Sequence, residues 1–226
     1  MISKAKKAIM VCAALLALGA SSAHADYFYV QDPVTDISLS YPDTWRRVYN
    51  QKTDDVMTIA APGVENFASC RMRMRDEPRY KIYPASFDGA NARDLFTEEF
   101  WTEYLAEYPL ARIDSIASDG GLGRGAGSVL EATYISFDDP RQQKQAIITA
   151  SLYNNKIYIL DCAAKVEHFE RHYPSFRNIA KSVGFAKQTH ELPGGDYRNF
   201  MADDPTFIRN ERYNRVRWWD GLKEYW

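Results

Sequence analysis

Two strand-like runs, QAIITASLY ending at Tyr153 and KIYILDCA beginning at Lys156, are separated only by Asn154-Asn155. A connection that short joins antiparallel neighbours, because a parallel crossover needs a dozen or more residues. Similar text recurs along the chain. ISLSYP, RRVYN, VMTIAAP and SCRMRMR precede position 76, and ARIDSIAS and SVLEATYISF follow position 110. Turn formers bound these runs at Pro42-Asp43, Asp54-Asp55, Pro62-Gly63 and Asp138-Asp139-Pro140. The expected product is one mainly antiparallel sheet.

Within SCRMRMR the alternation is strict. Cys70, Met72 and Met74 share one face of a strand, and Arg71, Arg73 and Arg75 share the other. A half-buried strand with a solvated arginine row is expected, with an anion-binding strip as the sharper alternative. Between the two groups of strands, ANARDLFTEEFWTEYLAEYP reads as one helix from Asn91 to near Pro109, with Phe96, Phe100 and Tyr104 laid against the sheet. A second helix is expected from about Val166 to Val183, with Phe169, Tyr173, Phe176, Ala180 and Val183 on one stripe. His172 falls at the edge of that stripe, His168 lies further round, and both are expected to face water. Pro174 hints at a broken first turn.

Residues 1–25 read as a leader, not as part of the fold. Lys4, Lys6 and Lys7 precede a short apolar run that ends in SSAHA, a small-x-small cleavage signal, so cleavage is expected after Ala25 and a mature chain from Asp26, periplasmic or secreted. Val11 is too bulky ahead of Cys12 for a lipid-anchor signal. No later stretch is apolar enough to span a bilayer. Loss of the three lysines takes the net charge from −2 to −5, which argues against a nucleic-acid partner. Cys70 and Cys162 remain as an even pair in an oxidising compartment, a candidate disulfide, with two buried free thiols as the alternative.

The sequence lacks a G-x-S-x-G elbow, H-E-x-x-H, C-x-x-C and a G-K-[ST] phosphate loop. His168 and His172 supply only two metal ligands. The Gly-rich GGLGRGAG, Gly120 to Gly127, leads into a strand where a phosphate site would need a helix N-terminus, so a flexible hairpin loop is expected. Paired acids such as Asp54-Asp55 and Glu98-Glu99 are adjacent in sequence and poorly placed to share acid and base work. No catalytic residue, metal or cofactor is assigned, and an enzyme is not expected.

ISLSYPDTW, Ile37 to Trp45, resembles the opening strand and turn of the PsbP-like domains. KIYILDCAAKVEHFERHYPSFRNIAKSVGF resembles their closing strand and helix. The matching positions are Tyr41, Pro42, Trp45, Phe169, Tyr173, Phe176 and Val183. The resemblance implies an α+β fold, an α/β/α sandwich around a mainly antiparallel sheet of about six to eight strands with helices on both faces. It also implies non-catalytic docking to larger assemblies. The PsbP-like domain is expected over residues 26–186.

Residues 187–226 are expected to add a linker and an amphipathic helical appendage. On a helical projection Phe207, Ile208, Trp218, Trp219, Leu222, Tyr225 and Trp226 share one arc. That stripe is open to three covers: the chain's own domain, a protein partner or a membrane surface. The expected function is an exported accessory or adaptor protein that docks onto a cell-envelope complex. The alternative is small-ligand binding or hydrolysis in a cleft between the Gly120–Gly127 loop and the arginine strand.

Overall fold

The computed structural model describes residues 26–49, 52–63, 68–82, 88–123, 125–135 and 142–185. Residues 1–25, expected to be a leader, and the segment carrying Phe207, Trp218, Trp219, Leu222, Tyr225 and Trp226 lie outside the described residues. Among the described residues nine strands form: β1 (Tyr27–Gln31), β2 (Ser38–Pro42), β3 (Arg46–Val48), β4 (Asp55–Ala60), β5 (Ser69–Asp76), β6 (Ala111–Gly120), β7 (Ala126–Ile135), β8 (Gln143–Tyr153) and β9 (Lys156–Lys165). Three α-helices accompany them: α1 (Asp88–Leu95), α2 (Glu98–Leu105) and α3 (Val166–Ser182). Strands β3 to β9 make one seven-stranded sheet in the order β3-β4-β5-β9-β8-β7-β6, and β1 and β2 pair as a separate hairpin. All neighbours are antiparallel, as the short connections require. At the tightest of them Asn154 and Asn155 take φ of 50° and 58°, the left-handed values that Asn tolerates best after Gly.

The sheet is covered on both faces, which explains why β8 and β9 are almost continuously apolar. Alternation along β9 sends Tyr158, Leu160, Cys162 and Ala164 toward α3, where they pack with Phe169, Phe176, Ile179 and Val183. Ile157, Ile159 and Ala163 go to the opposite face and pack under α1 and α2 with Phe96, Phe100, Trp101 and Leu105. The three family-like aromatics of α3 therefore do hold it to the sheet, although Tyr173 is only partly buried. Trp45 meets Phe176 edge-on at 6.0 Å between ring centres.

Strand β5 lies directly against β9, and Cys70 stands opposite Cys162 with a Cα–Cα separation of 4.0 Å. The two are joined in a disulfide. That close separation is characteristic of an opposed pair between ladder hydrogen bonds.

Several expectations change. The predicted strands began at Ile37, whereas the first is Tyr27–Gln31, whose consecutive aromatics show no alternation. The single helix is two. Phe96-Thr97 interrupts it, and Thr97 adopts extended angles and caps α2 by accepting from the Phe100 N–H at 3.4 Å. Trp101, not named among the sheet-facing aromatics, is fully buried and donates its indole N–H to Ser128 Oγ at 3.2 Å. Helix α3 carries through Pro174 without a break.

The Gly-rich stretch joins β6 and β7 as a hairpin loop, as expected, and its described residues tuck inward. Leu122 is fully buried in the α3-side core, and its N–H is hydrogen-bonded to Ser151 Oγ. Gly127 explains part of the glycine content. A Cβ there would fall 1.7 Å from the Ala150 carbonyl oxygen, so the β7 backbone approaches β8 more closely than any side chain allows.

His172 is also corrected. It does not face water but is 9 % exposed, edge-on to Trp45 at 6.0 Å, and its Nε2 has no hydrogen-bond partner in the described structure. Burial, reinforced by Arg171 and His168, lowers its pKa below the usual 6.5. In the unfolded chain the imidazole takes its proton near that ordinary value, so the folded state binds fewer protons below about pH 6.5 and loses stability as the pH falls. The expected result is a Tm that declines between pH 7 and 5, with a smaller decline in the His172→Phe variant. Equal declines in the two proteins would show that this imidazole does not contribute.

Candidate functional site

The densest polar cluster lies between the sheet and α2. Register places Arg71 of β5 directly opposite Asp161 of β9, both on the α2 side. Helix α2 and the turn after it lower Tyr104, Glu107 and Tyr108 onto that pair. Asp161 is 2 % exposed, and its Oδ2 accepts from Arg71 Nη2 at 2.9 Å, Tyr104 OH at 3.0 Å and Tyr108 OH at 3.1 Å. Three donors on one carboxylate oxygen replace the water lost on burial.

A second tier surrounds the first. Glu107 accepts from Arg71 at 3.4 Å and Arg73 at 3.3 Å, and pairs with Lys52. Arg73 reaches Asp54 at 2.7 Å and Asp55 at 3.7 Å, and its guanidinium lies 5.2 Å from the centre of the Tyr104 ring. Arg75 is exposed and sits 5.2 Å from the centre of Phe100. Tyr134 stacks on Tyr108 at 3.9 Å. Of the arginine row, Arg75 is solvated as expected and Arg71 and Arg73 are not. Arg71 and Arg73 lie beneath a helix, and the anions beside them are the chain's own carboxylates.

The electrostatics follow from burial and pairing. Burial first, and the Asp161 charge second, push the Tyr104, Tyr108 and Tyr134 hydroxyls well above the usual tyrosine range. All three stay protonated, and Tyr104 and Tyr108 donate to Asp161. Burial alone would lower the Arg71 pKa, but Asp161 and the two tyrosines more than offset it, and the net shift is upward. A cavity of about 20 Å³ beside Arg73, lined also by Asp54, Arg75, Tyr104, Ile157 and Ile159, admits one water-sized molecule. The arrangement can hold α2 to the sheet and fix its azimuth.

The residues that the sequence brought together as an alternative cleft are not brought together by the fold. The Gly-rich loop packs through Leu122 into the α3-side core, and Arg71 and Arg73 lie on the opposite face of the sheet. Asp161, Tyr104, Tyr108 and Glu107 escaped notice as a group. The legible signal was an aspartate interrupting the apolar run KIYILDCA, since a charge in a doubly covered strand demands a buried partner.

The other unusual feature is a surface. On β1, Tyr27, Phe28 and Tyr29 are 43 %, 55 % and 66 % exposed. By register Phe28 shares the face of Tyr41 and Leu39, and its ring lies 6.1 Å from that of Tyr41, while Tyr27 and Tyr29 take the other face. Asn178 of α3 donates to Tyr27 OH at 3.0 Å. Among the described residues β1 pairs only with β2, so its outer edge is open.

No family profile matches the sequence, and no curated protein does. Solved structures do share its fold. Cyanobacterial PsbP (CyanoP) from Synechocystis sp. PCC 6803 is similar over 74 % of this chain and 96 % of its own, at 12 % identity and a TM-score of 0.48. LpqN of Mycobacterium tuberculosis, involved in cell envelope biogenesis, is similar over 72 % and 91 %, at 14 % identity and a TM-score of 0.47. The yeast Ran-binding protein Mog1p covers 72 % and 96 %, at 6 % identity and a TM-score of 0.45. At these identities the likeness concerns the fold alone. No helix among the described residues is long and apolar enough to cross a membrane.

Proposed function

We propose that the chain is an exported, non-catalytic accessory protein that docks onto a cell-envelope protein complex. The observation that carries this reading is the run of three exposed aromatics on the open edge of β1. Aromatic side chains supply large contact area at little conformational cost, and Tyr and Trp dominate binding hot spots. An open strand edge adds backbone donors and acceptors that a partner strand satisfies. The leader-like first 25 residues support an envelope setting. The polar cluster under α2 supports the non-catalytic part of the reading, since its carboxylates and guanidinium groups are engaged with one another.

The test is in-cell photo-crosslinking from a photoreactive phenylalanine in place of Phe28, in the full mature chain and in a chain ending at Lys187. Discrete adducts to envelope proteins that disappear when Tyr27 and Tyr29 are changed to serine would support docking. A profile containing only self-adducts would overturn it.

A further inference from the structure

We infer that the β1–β2 hairpin is a docking surface for this chain's own C-terminal segment, Phe207–Trp226, so that the aromatic edge is self-covered until a partner displaces it. The inference rests on reading the hairpin as a docking surface and adds its intramolecular occupant.

Three observations point to that occupant. The first is where the described chain ends. Gly184 exchanges two backbone hydrogen bonds with Ser38 of β2, at 3.0 and 2.8 Å, on the edge of β2 away from β1. The described chain therefore ends roughly 10 Å, two strand spacings, from β1. The 21 residues 186–206 are more than long enough to bridge that distance, so the segment reaches the hairpin intramolecularly.

The second is charge. Residues 26–49 contain Asp26, Asp32, Asp36 and Asp43 against Arg46 and Arg47, a net charge of −2, with Arg47 near enough to Asp32 to help lower its pKa. The C-terminal segment carries Arg209, Arg212, Arg215, Arg217 and Lys223 against Glu211, Asp220 and Glu224. Opposite signs attract at this range, whereas an acidic hairpin is repelled by an anionic lipid surface. The same argument weighs against a second copy meeting hairpin to hairpin.

The third is chemistry. The hairpin exposes Tyr27, Phe28 and Tyr29, and the segment offers Phe207, Trp218, Trp219, Tyr225 and Trp226. Aromatic pairs gain more than their buried area alone, and arginine adds attraction to ring faces.

The experiment uses the purified full mature chain, without partners, carrying a photoreactive phenylalanine at Phe28. Intramolecular adducts mapping to residues 207–226, with a yield independent of protein concentration, are the expected result. Changing Arg209, Arg212, Arg215 and Arg217 together to Glu should lower that yield about tenfold, because each exposed ion pair contributes modestly and four are reversed. Near-UV circular dichroism matching the parent confirms that the domain is intact. Adducts confined to the domain, adducts that appear only between copies as concentration rises, or a yield indifferent to the charge reversal would each overturn the inference. The two readings fail separately. Envelope adducts in cells without tail adducts in the purified chain would sink self-covering alone, and tail adducts without envelope adducts would sink docking alone.

Discussion

Replacing Asp161 with alanine is expected to destabilise the protein by about 3–5 kcal/mol, because it leaves the Arg71 guanidinium buried without its main counter-ion. Two tyrosine hydroxyls lose their acceptor at the same time. Glu107 stays within 3.4 Å of Arg71 and softens the loss, which places the expectation toward the lower end of that range. Replacing both members of the pair by apolar residues, Arg71→Met with Asp161→Leu, should recover part of the stability, the Tyr104 and Tyr108 hydroxyls still lacking their acceptor. Desolvation of the two charges then disappears along with their attraction. Urea denaturation of the single and double variants measures this directly. A double variant no more stable than Asp161→Ala would mean that the pair is not coupled as described.

Loss of the Cys70–Cys162 bond is the second large effect. Closing a loop over 92 residues of sequence separation restricts the unfolded chain by about 4–5 kcal/mol in the chain-entropy account. The bond also links two central strands, β5 and β9, whose cysteines are 1 % exposed, so the reduced thiols would remain in place as small apolar groups. Cys70→Ala with Cys162→Ala should therefore lower stability by about 4 kcal/mol while leaving the far-UV circular dichroism of the folded state unchanged. A loss below about 1 kcal/mol would indicate that the unfolded chain is already compact across these positions.

The sheet was legible because its evidence is local. Asn154-Asn155 dictated a hairpin, and the Cys70/Met72/Met74 alternation assigned those residues to one face before any coordinates. The final helix was legible to within a residue, since its Phe169–Phe176 stripe repeats at the helical period. Other features depend on what lies opposite in space, which one sequence does not display. Alternation put Arg71 and Arg73 on the second face correctly but could not say that α2 would cover it. His172 sat at the margin of the stripe, and only the approach of Trp45 from the turn before β3 decides that it is buried. Strand β1 was missed because three successive aromatics carry no period, and those same residues became the candidate docking surface. The split between α1 and α2 was within reach, since Thr97 before Glu98 and Glu99 is an N-cap followed by acids in the first turn.

In the proposed function a polar interior builds the protein and the aromatic edge of β1 recognises partners. In-cell crosslinking of two folded variants compares them most directly. The Arg71→Met, Asp161→Leu chain is predicted to keep the envelope adducts of the parent, and the Tyr27→Ser, Tyr29→Ser chain to lose them. The opposite pattern, with adducts surviving changes at the edge and vanishing with the interior pair, would contradict it.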